Sequence, residues 1–350
     1  MKKNSLIFRS TKLGFSFRIQ NQVPKILFIL IIITLAAMVI NTSLGEYPTP
    51  PLAVIQTILG IDTGNHDYAF VINTLRLPRI LTACLVGMAL AISGTIMQSL
   101  TRNSLADPGI IGINSGASLA SVSVIVLLPN FPAGILPLSA FVGALVASLL
   151  IYFLAWDRGL HPVRLILIGV GISAVASAFT SLIVTFGQIS DVSQALIWLA
   201  GSVYGRTWEQ VFAFLPWIVI FVPLALIKAP ELNALNLGDD IAKGLGNKVE
   251  WQRSLLLLIS AALSGAAIAT AGTIGFVGLI APHIARQLVG GNHQGLIPVA
   301  GMTGAMIVVL SDFIGRIIFA PIEIPCGIVT AVIGAPYFIY LLINNRKSKT

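Results

Sequence analysis

The chain has 350 residues, of which 56% are hydrophobic and only 10% charged, with a formal net charge of +8 and a mean hydropathy of +0.92. A soluble domain carries about 25% charged residues, so this composition excludes a water-soluble globular protein, and equally a disordered, fibrous or disulfide-scaffold chain. The basic residues lie scattered between apolar runs and form no patch, which points to charge placement about a bilayer and away from nucleic acid.

Residues 1–25 read as a basic N-terminal tail carrying Lys2, Lys3, Arg9, Lys12, Arg18 and Lys25. The apolar run 26–44 lacks a small-x-small cleavage site and reads as a retained signal anchor. Crossing about 30 Å of hydrocarbon takes about 20 apolar residues. Nine further candidates follow at 80–100, 108–128, 134–156, 165–187, 211–228, 254–271, 273–290, 296–320 and 325–343. The predicted fold is therefore an all-α, polytopic membrane protein, with a ten-helix domain over 26–343 and a short C-terminal tail at 344–350. Pro216 and Pro223 interrupt one span and Pro282 another; broken spans of this kind line protein or a cavity.

In the loop 45–79, Pro48, Pro50 and Pro51 break the chain after the first span. Residues 192–199 read as a short interfacial helix, with Trp198, Tyr204 and Trp208 at headgroup level. With the N-terminus inside and ten spans, 17 of the 21 basic residues fall on the inner side, leaving Arg76, Arg79, Arg206 and Arg316 outside. The positive-inside rule then sets both termini in the cytoplasm. Ser93-Gly94-Thr95-Ile96 echoes Ala271-Gly272-Thr273-Ile274 in a span of opposite direction, as an inverted repeat of spans 2–5 against 7–10 would require.

Chemical motifs are sparse. There is no Walker sequence and no Ser or Cys nucleophile motif. His66, His161, His283 and His293 are far apart in sequence, and Cys84 and Cys326 read as small packing residues, so no metal site is expected. Asp312 is the one carboxylate plainly inside a span. Arg316 follows it at i+4, a spacing that suits mutual neutralisation. So few intramembrane acids argue against an ion-coupled transporter working alone. The inner loop 229–252 is the most polar part of the second half. Within it, Asn236 to Gly246 reads as a short helix with Asp239 and Asp240 in its first turn, ended by Gly244 or Gly246. Such a helix is either a solvated connector or a docking helix for a cytoplasmic partner.

Five blocks together carry a family resemblance. Leu75-Arg76-Leu77-Pro78-Arg79, Ser93-Gly94 through Met97-Gln98, and Asn103-Ser104-Leu105-Ala106-Asp107-Pro108-Gly109 are followed by Gly272 through His283 and by Glu323 through Thr330 with Gly334-Ala335-Pro336. In this order, over residues 45 to 343, they resemble the FecCD-type permeases. These are the membrane subunits of ATP-driven importers for iron–siderophores, haem and vitamin B12. The stretches Ala195 to Ser202 and Gly205 to Trp208 look most like the ferric-siderophore and ferric-citrate branch.

The resemblance implies a type II ABC importer permease architecture in a bacterial plasma (inner) membrane. It implies work in pairs with a second permease, identical or homologous, two ATPase subunits, a substrate-binding protein and a ferric-chelate substrate. ATP and Mg would sit on the partner ATPase, and this chain would bind no cofactor and catalyse no reaction. The ATPase-coupling positions would be Leu237, Gly238, Asp239, Asp240, Ala242, Gly244 and Gly246. Arg76, Arg79 and Arg316 would receive glutamates of the binding protein, although headgroup anchoring accounts for them too. The cytoplasmic gate would comprise Asn103, Ser104 and Leu105 with His161, Pro162 and Val163. Ser104 stands where the family often has proline, and a tight turn with a helix start at Pro162 reads equally well. Vitamin B12 or haem import is the alternative within the family.

Overall fold

The computed structural model describes residues 5–10, 15–45, 47–109, 112–128, 130, 132, 134–156 and 162–347. Ahead of the first helix stands a hairpin, β1 (Ser5–Ser10) antiparallel to β2 (Phe15–Gln20) with Ser5 opposite Gln20. The basic tail thus contains strand structure that the composition argument did not foresee. The other described elements are α1 (Gln22–Ser43), α2 (Pro51–Ile58), α3 (His66–Phe70), α4 (Leu77–Leu100), α5 (Ile113–Leu127), α6 (Ile135–Ala155), α7 (Pro162–Phe186) and α8 (Ile189–Ala200). They continue as α9 (Trp208–Ile227), α10 (Ala229–Asn236), α11 (Asp239–Gly244), α12 (Val249–Ala271), α13 (Val277–Val289), α14 (His293–Ile317) and α15 (Cys326–Lys347).

Eight of these helical segments are long and apolar enough to cross a membrane. The other two predicted spans are helical but short. α5 starts only at Ile113, because Pro108 and the turn around it delay the helix. α13 has 13 residues, roughly 20 Å at 1.5 Å per residue, too little for the hydrocarbon thickness. Residues 272–275 ahead of it carry no helix, and Phe276 then takes a left-handed φ of 68°. The four-residue echo noted above accordingly lies in the interior of α4 and at the end of α12, two different conformations.

α4 extends further than predicted. Helix is continuous from Asp67 to Leu100, and Pro78 sits inside it. A π-helical stretch at Val71–Arg76 precedes the proline, where the wider turn accommodates a ring that would otherwise strike the preceding carbonyl. Trp208 Nε1 donates to the Asn73 carbonyl at 2.8 Å, satisfying backbone in that stretch.

α4 is also the central helix, packed against α12, α13 and α14. Lipid tails are as apolar as leucine, so helices associate in a membrane through close backbone approach. Glycine provides it here. A Cβ at Gly87 would lie 2.3 Å from the Gly304 carbonyl oxygen of α14, and one at Gly94 would lie 1.9 Å from that of Gly278 in α13. Ser93 and Ser260 add a 2.7 Å hydroxyl–hydroxyl bond between α4 and α12. By contrast α6, α7 and α9 expose Phe153, Leu167, Phe179 and Ile220, the surface expected toward lipid.

Overpacking a tight contact costs about 1–3 kcal/mol and sometimes more. Gly94→Val is therefore expected to lower the unfolding midpoint of the detergent-solubilised chain, read by thermal size-exclusion profiles. Substitution of Gly134, which has open space around it, should leave the midpoint in place.

Candidate transport and coupling sites

The three predicted arginines do converge at one end of the bundle, where α4 and α14 bring them to the loop after α1. Each is at least nine-tenths buried. Arg76 donates from Nη1 to the Thr42 carbonyl at 2.6 Å and from Nη2 to the Tyr47 carbonyl at 2.7 Å. Arg316 donates from Nη2 to the carbonyls of Asn41 and Leu44. The Asn41, Thr42 and Leu44 carbonyls belong to the C-terminal end of α1, where carbonyls left without helical partners favour a cation, and Tyr47 lies in the loop beyond it.

Arg79 is held by carboxylates. Its Nη2 lies 2.7 Å from Asp312 Oδ1 and its Nε 3.1 Å from both Asp312 oxygens, while Nη1 lies 2.8 Å from Glu323 Oε2. The Tyr204 ring covers the guanidinium at 5.4 Å. The predicted Asp312–Arg316 neutralisation is therefore corrected: Asp312 pairs with Arg79. Glycine contacts pull α4 against α14 and bring a forked donor to the carboxylate, a better match than a one-turn neighbour. The arginines fasten the C-terminal ends of α1 and α14 to the start of α4, with their guanidinium groups turned into the protein.

Beside this cluster lies a cavity of about 480 Å3 between α8, the ends of α5 and α12, and the loop before α15. Gln194, Trp198, Tyr204, Arg206 and Glu323 line it.

At the opposite end of α4, the inner loop forms α10 and α11, separated at Gly238, whose φ of 118° is open to glycine. Asp239 and Asp240 occupy the first turn of α11, as expected, and Gly246 follows its end with a φ of 83°. Asp239 Oδ1 accepts from Nη2 of Arg253 at 2.6 Å and from Nη2 of Arg102. Partial burial pushes the Asp239 carboxyl up, but the two guanidinium groups outweigh it and hold the group below its ordinary value. Ala242 is fully buried, whereas Leu237, Ile241 and Leu245 are all more than half exposed. Spaced by four, Ile241 and Leu245 share one face of α11 and its C-terminal end, and Leu237 closes α10 just ahead of the break at Gly238.

Arg102 leads directly into the predicted gate segment. Its Nε also donates to the Leu235 carbonyl at 3.1 Å, so the connection after α4 is tied to both α10 and α11. Asn103, Ser104 and Leu105 form a tight turn in which Asn103 Oδ1 accepts from the Leu105 amide at 3.0 Å. Asp107, just beyond, is buried and pushed up to about 6 by desolvation, against the lowering effect of the Gly109 amide at 2.7 Å. Pro162 opens α7 as the tight-turn reading requires, and Val163 is exposed there. His161 lies outside the described residues.

A third inner contact was not legible beforehand. His293 Nδ1 donates to Asn233 Oδ1 at 2.7 Å, leaving Nε2 to accept from Ser99 Oγ at 2.5 Å. This joins α10, α14 and the last turn of α4. A lone histidine carries little signal, although its place after Asn292, whose side chain caps α14, marks a helix start. Among the described residues no cluster of three His, Cys, Asp or Glu could hold a metal ion.

Removing one partner of a buried ion pair costs about 3–5 kcal/mol because the other charge stays buried. Arg79→Ala should thus destabilise the purified chain strongly in thermal unfolding. Adding Asp312→Asn should restore part of the loss.

Comparison with known proteins sets this geometry in a family. The FecCD transport family matches residues 30–344. The Fe(3+)-citrate import system permease protein YfmE of Bacillus subtilis is 43% identical over 317 residues, covering 90% of this chain and 94% of that protein. The iron(3+)-hydroxamate import system permease protein FhuG of the same organism is 43% identical over 329 residues, covering 92% and 96%. A metal-chelate type ABC transporter solved in an inward-facing conformation superposes with a TM-score of 0.82 at 34% identity, covering 92% of this chain and 99% of the other. With ten helical segments in the expected order and a family match over nearly its whole length, this chain belongs to the FecCD transport family of membrane permeases.

Proposed function

We propose that the chain is the permease subunit of an ATP-binding-cassette importer that moves a ferric chelate of the citrate or siderophore type across the bacterial inner membrane. The names of its 43%-identical relatives support the substrate class. The observation that carries the coupling mechanism is the exposed apolar pair of Ile241 on α11 and Leu245 at its C-terminal end, with exposed Leu237 just before Gly238, on a chain with no nucleotide-binding motif of its own. A short helix with one apolar face suits a groove on a partner.

In this reading residues 26–343 form the permease domain, both tails lie in the cytoplasm, and a second permease completes the translocation path. Two ATPase subunits, holding ATP and Mg, grip α11 and its flanks from Leu237 to Gly246. Their closure pushes Asp239, and Arg102 passes the displacement to the turn at Asn103–Leu105 and to α4. That turn and the start of α7 at Pro162 and Val163, with His161, then act as the inner gate. A loaded binding protein docks at the opposite end over Arg76, Arg79 and Arg316. Because these guanidinium groups are buried, an incoming carboxylate must displace Glu323 or the α1 carbonyls to reach them.

Ile241→Glu and Leu245→Glu, introduced together, should remove the ATPase subunit from the tagged permease purified out of its own membranes. The unaltered chain should retain it, and the variant should still reach the membrane. Equal recovery of the ATPase with both chains would refute the docking role of α11.

A further inference from the structure

Arg206 is the most conspicuous charge that the coupling mechanism leaves unused. It sits between α8 and α9 on the wall of the 480 Å3 cavity, partly buried. Its Nε makes no hydrogen bond, and among the described residues no carboxylate lies within 4.0 Å of its guanidinium. Glu323 lines the same cavity, but that carboxylate is already held by Arg79 at 2.8 Å, and Arg79 is shared with Asp312 at 2.7 Å. Burial lowers the Arg206 pKa, the cost of a cation drawn out of water without a counter-charge. Arg76, Arg79 and Arg316 differ in that their terminal guanidinium nitrogens donate to carbonyls, a hydroxyl or carboxylates of the fold itself, although Arg316 Nε is likewise without a partner.

An unpaired guanidinium on the wall of a cavity, with Trp198 and Tyr204 supplying flat apolar surface and Gln194 a neutral polar group, is a receptor for an anion of moderate size. We infer that this cavity is a binding station for the transported chelate and that Arg206 selects chelates bearing free carboxylate charge. The inference rests on the ferric-chelate reading given above. It narrows that reading, because two citrates around one ferric ion carry more negative charge than the metal cancels, whereas a ferric trihydroxamate is neutral and leaves Arg206 unpaired. In the proposed orientation, with both termini in the cytoplasm, the ends of α5 and α12 and the loop before α15 that form the cavity face the outer side. A chelate released by a docked binding protein would meet Arg206 before entering the bundle.

The test uses the complete importer in proteoliposomes with ATP and saturating binding protein, supplied with radioactive iron as ferric citrate or as a neutral ferric trihydroxamate. The wild-type importer should take up ferric citrate, Arg206→Gln should reduce that uptake by about tenfold, and Arg206→Lys should recover at least half of it. Gln194→Glu sets a negative charge on the exposed side of the same cavity with Arg206 intact, and should depress ferric citrate uptake as well. That variant keeps the inference testable should Arg206→Gln fail to assemble. Unchanged citrate uptake in Arg206→Gln, or in Gln194→Glu where the former does not assemble, overturns the role of the cavity while the importer reading stands. Uptake of the trihydroxamate but not of ferric citrate by the wild type overturns the charge preference. Uptake of neither chelate removes the ferric-chelate reading, and this inference with it.

Discussion

The structure depends on how closely α4 approaches its neighbours. A helix in lipid gains no hydrophobic energy by leaving it, so contact must come from dispersion at short range and from polar groups with nowhere else to bond. Gly87 against Gly304 and Gly94 against Gly278 bring backbones to distances that no side chain would allow. Once α4 is seated there, Ser93 reaches Ser260 and Arg79 reaches Asp312. The ion pair is a consequence of the glycine packing as much as a cause of stability. Desolvating both charges costs several kcal/mol per ion, and the fork geometry offsets this without a large surplus.

One rigid helix therefore connects two polar ends. At its N-terminal end, Arg79 is the hub of a network that includes Asp312, Glu323 and Tyr204. At its other end, Arg102 just after the helix meets Asp239 and the Leu235 carbonyl, and Ser99 in its last turn meets His293. Among the described residues α14 also bonds at both ends, through His293 to Asn233 of α10 and through Arg316 to the Asn41 and Leu44 carbonyls, while α4 adds Arg102 on Asp239 of α11. In the proposed importer, this makes α4 and its two ends the mechanical link between the docking helix and the outer face, while α6, α7 and α9 present apolar side chains to their surroundings.

The sequence was informative wherever one physical rule dominated. Apolar run length located the helical segments, and glycine and acid placement anticipated the first turn and the end of α11, although the helix expected from Asn236 starts only after the break at Gly238. The rule failed where local signals competed with packing. The span expected from residue 80 begins earlier, because the π-helical widening at Val71–Arg76 carries the helix through Pro78. The runs at 108–128 and 273–290 were apolar enough to span, but the turn at Pro108 and the nonhelical residues 272–275 shorten both. Asp312 and Arg316 looked like partners because only separation along one helix can be read from sequence; Arg79 is 233 residues away from Asp312. For the same reason the inward turn of the three arginines, the Ser99–His293–Asn233 contact and the unpaired Arg206 emerge only in three dimensions.

The link between α11 and α4 is tested most directly by a double-mutant cycle on Arg102 and Asp239, reading iron transported per ATP hydrolysed in proteoliposomes. Arg102→Ala and Asp239→Asn should each lower that ratio on the order of fivefold, roughly 1 kcal/mol of coupling. The double variant should lose clearly less than the two single losses combined, because the Arg102–Asp239 contact is removed in both while Asp239–Arg253 and Arg102–Leu235 are separate losses. Fully additive losses, or transport per ATP unchanged in both single variants, would contradict a transmission route through this pair.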